Sequence, residues 1–213
     1  MKENVLRLIF YFGGFFITAA GITTILRSGL GAGAWDTVTN NLSVLADITL
    51  GTASMSINLT ILVMILIYRK NPKFLFTVVP ILTIGLFIDL WDLVIYGSYA
   101  PGNMGLRALF YMGGTVLLTG GLSLTIVSGF PAMVFDELTL MVMEFFNSES
   151  FFKSRLAIEL FAIMLASVFG FSAGIGFGAV NVGSFILALI LPPIMARELD
   201  FLRMHLPFED IRT

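Results

Sequence analysis

Acidic and amide side chains interrupt an otherwise strongly apolar chain, and these are the residues that could do chemistry. Asp36 and Asp136 each follow a short helix-breaking stretch, while Asn58 and Glu159 lie inside long apolar runs. A carboxylate held at depth in a membrane can bind a cation or a protonatable amine, and a protonated carboxyl can serve proton coupling. The chain has no cysteine, and its single histidine, His205, lies in the C-terminal tail. Thiol catalysis and a histidine-based metal site within the membrane are therefore excluded.

The composition decides the class of protein that must position these residues. Of the 213 residues, 57% are hydrophobic and 12% are charged, and the mean hydropathy is +0.95. A soluble domain carries about 25% charged residues, roughly twice the fraction found here. We therefore predict an integral membrane protein that is embedded in the lipid bilayer. The net charge is −2 and no basic patch occurs, which argues against nucleic acid. No Ser/His pair, HExxH or P-loop pattern is present, so we predict no enzyme activity, no cofactor and no metal.

Six apolar runs are long enough, or nearly so, to cross a bilayer as helices of about 20 residues. They cover residues 5–27, 52–68, 74–97, 105–127, 156–172 and 177–196. Two further stretches, 33–47 and 132–147, have helical character but are too polar or too short to face lipid. The first run exceeds the roughly 7–15 apolar residues of a signal peptide, so we interpret it as a retained span.

The two halves of the chain repeat one another at a spacing of 100 residues. RLIFYFGGFFITAAGITTILRSGLGAGAWDTVT aligns without gaps to RALFYMGGTVLLTGGLSLTIVSGFPAMVFDELT. The identical positions include an arginine, a tyrosine, Gly-Gly, Ser-Gly and an aspartate in one frame. Each half therefore reads as span, glycine break, short polar helix, span, span. We predict a first repeat over 1–98, a second over 99–196 and a cytoplasmic tail over 197–213.

The basic residues decide between two topologies, because cytoplasmic loops are rich in Lys and Arg. With six spans and a cytoplasmic N-terminus, only Arg27 and Arg107 of the 12 basic residues lie outside. With eight spans, the segment 69–73 moves outside and the asymmetry weakens. The predicted fold is therefore an all-α membrane protein with six transmembrane helices as a 3+3 inverted repeat. A short broken or re-entrant helix follows the first span of each half, and both termini are cytoplasmic.

Inverted repeats with discontinuous helices are typical of secondary transporters, whose site lies near the bilayer midplane. The predicted backbone breaks include Gly29, Gly31, Gly129 and Pro131. The predicted substrate-binding residues are Trp35, Asp36, Asn40, Asn58, Asp136, Glu137 and Glu159. A helix N-terminus favours a carboxylate in its first turn, so the two aspartates either line a site or only cap their helices. Trp35 likewise has two possible roles, either lining the site or anchoring the helix at the membrane interface.

Asn58 and Glu159 form a second candidate pair, because Ile57-Asn58-Leu59 matches Ile158-Glu159-Leu160 with an offset of one residue. Each polar residue lies one or two turns inside its span. Glu159 has an alternative role, because Arg155 lies four residues earlier on the same helix face and can form an ion pair with it.

GLGAGAWD followed by LGTASMSIN resembles the YczE/YyaS/YitT-type bacterial membrane proteins. In that family a glycine-rich turn leads to a Trp-Asp pair, and a Gly-Thr precedes the next span. GIGFGAVNVGSFILALILPPI is similar to the family's penultimate loop and last helix. The resemblance implies a cytoplasmic membrane protein of five or six spans, with transport or export of small molecules suspected.

Three functions remain open at this stage. A small secondary transporter or exporter, acting on a small molecule or cation, accounts for the repeat, the breaks and the embedded acids. A substrate-capture subunit of a larger importer would have a similar size and would need a partner ATPase. A non-transporting scaffold or regulator would use the polar residues structurally. The sequence also leaves a homo-oligomer open.

Overall fold

The computed structural model describes residues 2–130, 134–147 and 150–206, apart from the side chains of residues 2, 3, 136 and 152. Within these ranges the chain forms eight α-helices and no β-strand. The helices are α1 (Lys2–Ser28), α2 (Ala34–Ala46), α3 (Leu50–Arg69), α4 (Val78–Asp89), α5 (Met104–Val127), α6 (Val134–Phe145), α7 (Phe151–Ser172) and α8 (Val182–His205). The predicted all-helical class is confirmed, and the two short helices lie where the sequence places them.

Within the described residues, five segments are long and apolar enough to cross a membrane. They are Asn4–Ser28, Leu50–Arg69, Pro72–Tyr96, Met104–Val127 and Lys153–Ser172. These segments confirm a multi-pass helical membrane protein at that level of detail. The predicted run 177–196 corresponds to α8, which is not among the five, so a sixth span stays a prediction. This helix begins at Val182, later than predicted, because Gly174, Gly176 and Gly178 all adopt positive φ angles that interrupt a helix.

The third span changes helix type twice along its length. A 3-10 helix covers Pro72–Thr77, α4 follows, and a π-helical turn covers Leu90–Tyr96. Within this turn, the carboxylate of Asp92 accepts a 2.6 Å hydrogen bond from the Nη2 of Arg27, on α1. The indole N–H of Trp91 donates to the carbonyl oxygen of Phe16 at 3.1 Å. Both contacts join the end of the third span to α1.

Helices α1 and α5 cross closely through glycines that are equivalent in the repeat. A Cβ atom added to Gly14 would lie 2.9 Å from the carbonyl oxygen of Gly121, and one added to Gly114 would lie 3.1 Å from that of Gly21. Because residue numbers rise along one helix as they fall along the other, the two helices run antiparallel. Small residues allow this approach of two backbones within a membrane. Gly13 lies off this contact, since an added Cβ there would meet nothing within 4 Å.

Each of these two helices ends at a break that an arginine of the other helix reaches. Arg107 donates from Nε to the carbonyl oxygen of Ser28 at 2.6 Å and from Nη2 to that of Gly29 at 2.8 Å. Its counterpart Arg7 reaches the other break, where a Cβ added to Gly129 would lie 2.9 Å from its Nη1. An arginine beside the last carbonyl groups of a helix satisfies acceptors that have no intrahelical donor.

The first break runs from α1 back to α2 through residues 29–33. Gly29 and Gly31 have backbone φ angles of +63° and +121°, which residues other than glycine rarely adopt. The N–H of Gly183 donates to the carbonyl oxygen of Leu30 at 2.9 Å, and that of Ala32 donates to the Oγ of Ser184 at 3.1 Å. The N-terminus of α8 therefore supplies hydrogen-bond partners for the irregular backbone of the break. The predicted break at Pro131 lies outside the described residues.

Candidate functional site

A cavity of about 470 Å³ lies between the two halves of the chain. All eight helices contribute to its wall. Five pairs of lining residues are counterparts at the 100-residue spacing, namely Thr18 and Leu118, Ile22 and Leu122, Ala34 and Val134, Trp35 and Phe135, and Ile84 and Ser184. Cavities that hold small molecules have volumes of about 300–1,000 Å³, so this one is of the size of a ligand site.

Two aromatic rings stack at the point where the short helices begin. The ring centroids of Trp35 and Phe135 are 5.0 Å apart and their planes are inclined by 29°. The two residues lie in the first turns of α2 and α6, so the N-termini of the two short helices meet at the cavity wall. The sequence singled out Trp35 alone, although the repeat alignment pairs it with Phe135 and was the signal that would have found it.

Asp36 lines the cavity in the first turn of α2. Among the residues that the structure describes, none forms a hydrogen bond or an ion pair with its carboxylate, and the α2 start has no side-chain cap. Gly33 leaves the room that this side chain occupies, since a Cβ added there would lie 2.6 Å from Oδ2 of Asp36. The positive end of the α2 dipole then offsets part of a negative charge at this position.

Two polar pairs at equivalent positions of α3 and α7 line the same cavity. In α3, the side-chain amide of Asn58 donates to the carbonyl oxygen of Ser54 at 2.8 Å. In α7, the Nε of Arg155 donates to the Oε1 of Glu159 at 2.9 Å, with side chains that are 33% and 22% exposed. The predicted ion pair between Arg155 and Glu159 is confirmed, and both of its members also face the cavity.

The structure thus brings together Trp35, Asp36, Asn58 and Glu159 and places two other predicted residues elsewhere. Asn40 lies about one turn beyond Asp36 and does not line the cavity; its side chain donates to Asn41 at 3.2 Å. Glu137 also lies off the cavity wall, where it accepts a 2.6 Å hydrogen bond from Arg69.

The backbone of Asp136 lies in α6, while its side chain is outside the described part of the structure. Its predicted role in binding is therefore untested. The structure gives the positions of the four residues that line the cavity, but their predicted role in binding is also untested.

Comparison with known proteins gives a family assignment for this arrangement. Residues 5–197 match a family of unknown function, DUF6198. The chain belongs to that family. This DUF6198 member is 26% identical over 189 residues to the uncharacterized protein YyaS of Bacillus subtilis (strain 168), over 88% of this chain and 93% of that protein. The predicted resemblance to YyaS-like membrane proteins is confirmed. No solved structure matches the chain.

Proposed function

We propose that this protein is a small secondary transporter or exporter, and that the cavity between the halves is its substrate site. One observation carries the proposal: a cavity of ligand size, lined by both repeats, contains an Asp36 carboxylate that no described residue pairs with. A charged group within a membrane is costly and marks substrate and ion pathways. A helix-packing scaffold has no need for such a group beside an open volume.

The contacts between α1 and α5 support an inverted repeat. Gly14 meets Gly121, and its counterpart Gly114 meets Gly21, so each contact has an equivalent with the roles exchanged. Exchange of roles is the signature of a two-fold axis. Because the two helices are antiparallel, the axis is perpendicular to them and lies in the membrane plane, as in inverted-repeat transporters.

The same axis supports a position of the candidate site near the bilayer midplane. A residue that contacts its own counterpart lies near the two-fold axis, and Trp35 and Phe135 do so with centroids 5.0 Å apart. An axis in the membrane plane through the centre of both repeats lies at the midplane. In this proposal α2 starts near the midplane with Asp36 and runs back toward the surface, which makes it a re-entrant half-helix.

The complete topology has six spans, with α8 as the sixth, repeats over 1–98 and 99–196, and both termini in the cytoplasm. The absence of native cysteine allows a direct test with single-cysteine variants. In intact cells, we expect Ser98→Cys to react with a membrane-impermeant maleimide and Lys73→Cys to react only after permeabilisation. Labelling of residue 73 from outside would overturn the topology.

Alternating access is the property that separates a transporter from the other candidate functions, and its test needs no known substrate. Ala188 lines the cavity from α8 and is exposed, so a cysteine there reports on access to the site. In membrane vesicles of both orientations, we expect Ala188→Cys to react with an impermeant thiol reagent from either side. Ser98→Cys and Lys73→Cys are the controls that react from one side only.

Reaction of Ala188→Cys from a single side would contradict transport and would favour a scaffold or a capture subunit. Co-purification of an ATPase with the wild-type protein would then identify the capture subunit. Substrate-dependent thermal stabilisation, measured against amines, organic acids and lipophilic cations, would identify the ligand in either case.

A further inference from the structure

Among the described residues of the cavity wall, the charges leave one carboxylate uncompensated. Three of the lining residues that the structure describes are charged: Asp36, Arg155 and Glu159. Arg155 is paired with Glu159 at 2.9 Å, which neutralises that pair. Glu159 and Asp36 line the same cavity, so a negative charge on one disfavours a negative charge on the other. A ligand that carries one positive charge would therefore balance the wall, whereas an anion would meet repulsion and a dication would exceed the charge available.

The rest of the wall is suited to an organic body rather than a bare metal ion. Phe15, Trp35, Phe135 and Leu187 are among the apolar residues that surround the cavity. The side-chain amide of Asn58 is already engaged with Ser54. Alkali and alkaline-earth ions need about six oxygen ligands. The described wall is mostly apolar and its hydroxyl groups lie on different helices, and the described residues include no cluster of three acidic or histidine side chains that could hold such an ion. An alkylammonium group needs fewer oxygen ligands and gains cation–π attraction from a neighbouring aromatic ring.

We infer that the cavity binds an organic monocation with an apolar body, such as a lipophilic primary or secondary amine, with its ammonium group at Asp36 and its body against the aromatic wall. This inference rests on the proposed function for its physiological meaning, but binding itself can be tested separately. Transfer of the apolar body from water into the cavity contributes affinity. The single carboxylate selects cationic ligands over neutral and anionic ones.

The test uses three ligands with one phenylbutyl body and different head groups: 4-phenylbutylamine, 4-phenylbutanol and 5-phenylpentanoate. The chain has two tryptophans, so a Trp91→Phe variant in lipid nanodiscs reports binding through Trp35 fluorescence. Empty nanodiscs correct for partition of each ligand into lipid. Thermal stabilisation of the wild-type protein by the same ligands provides a second measurement that does not depend on the variant.

We expect the amine to bind about tenfold more tightly than the alcohol and the acid to bind most weakly. In Asp36→Asn the preference for the amine over the alcohol should fall below about threefold, whereas Asp36→Glu should retain it. Glu137→Gln is the matched control, because Glu137 is an acid of the neighbouring short helix that does not line the cavity. Equal binding of amine and alcohol, preference for the acid, failure of all three to bind, or a preference that survives Asp36→Asn would overturn the inference.

These outcomes are distinguishable from failure of the proposed function. Two-sided access to Ala188→Cys without any preference for the amine would leave a transporter with another class of substrate. A clear preference for the amine with one-sided access would instead leave a cation-binding protein that does not transport.

Discussion

The two short helices hold equivalent places in the repeat, but different chemistry fixes each of them to the helices around it. In α2, the buried side-chain amide of Asn41 donates to the carbonyl oxygens of Ala166 and Phe177 at 2.8 and 3.0 Å and accepts from the N–H of Ala179 at 3.0 Å. In α6, Glu137 and Glu144 pair with Arg69 of α3 at 2.6 and 2.7 Å, through side chains that are 22–49% exposed.

The two halves share the placement of the short helices but differ in how firmly each short helix is expected to be attached. A buried polar group left without a partner costs about 1–3 kcal/mol, whereas a solvent-exposed ion pair contributes roughly 0–1 kcal/mol. Separating α2 from α7 and from the loop after α7 should therefore cost more free energy than separating α6 from α3. We expect movement of the short helices to begin at α6.

Asn41→Leu should have the largest effect on this comparison. The substitution leaves two carbonyl groups and one N–H without their partner, so we expect a loss of about 3 kcal/mol or more in the free energy of unfolding. Denaturation in mixed SDS micelles, followed by circular dichroism, would measure it. Asn40→Ala is the matched control and should cost about 1 kcal/mol or less, since Asn40 makes one side-chain bond. Similar losses in the two variants would show that the Asn41 network is not the rigid attachment.

Alanine at the crossing glycines should have the next largest effect and should affect both halves alike. A Cβ at Gly21 would clash with the backbone of Leu118, and one at Gly121 with the backbone of Thr18. We expect each of Gly21→Ala and Gly121→Ala to cost about 1–3 kcal/mol in the same denaturation measurement.

The controls for the crossing are Gly13→Ala and Gly113→Ala, where an added Cβ meets nothing within 4 Å. Helix propensity makes these two variants neutral or up to about 1 kcal/mol more stable. A large cost at Gly21 with none at Gly121 would break the two-fold relation on which the inverted repeat depends.

The sequence predicts what is local or repeated, and the structure adds what depends on distant partners. The break at Gly29 and Gly31, the start of α2 at Ala34 and the pair four residues apart in α7 all follow from short-range rules. Asn40 and Asn41 are adjacent and chemically identical, so only the packing of α2 on α7 decides which of them is buried. The pairing of Arg69 with Glu137 spans 68 residues, and no local pattern indicates it.

The π-helical turn of the third span is a second feature that the sequence does not reveal. Residues 90–96 have the composition of an ordinary apolar helix. The backbone hydrogen bonds become π-helical in the turn where Arg27 contacts Asp92. The positions of the charges in the sequence do not predict this contact between spans.

Arg69→Gln should have a smaller effect, because it removes two partly exposed ion pairs from α6. We expect a loss of about 1 kcal/mol in the free energy of unfolding, and the difference from wild type should shrink at high salt. Lys70→Gln is the control, since Lys70 is the exposed neighbour. A salt-independent loss as large as that of Asn41→Leu would mean that the two short helices are held equally firmly.

The smallest effect is expected when the second half is given the polar pair of the first. The double variant Arg155→Ser with Glu159→Asn converts the ion pair of α7 into the Ser–Asn pair that α3 carries at the equivalent positions. Because both charges are removed together, we expect the free energy of unfolding to stay within about 0.5 kcal/mol of wild type. Arg155→Ser alone should cost more, because Glu159 then lacks its cation.

Of the described residues that line the cavity, the double variant leaves Asp36 as the one charged residue. If Asp36 selects the ligand, the preference for 4-phenylbutylamine over 4-phenylbutanol should survive in that variant, since the charge of the wall is unchanged. A preference lost there but kept in wild type would assign the selection to Glu159. The diverged half, rather than the restarted helix α2, would then be the half that recognises the substrate.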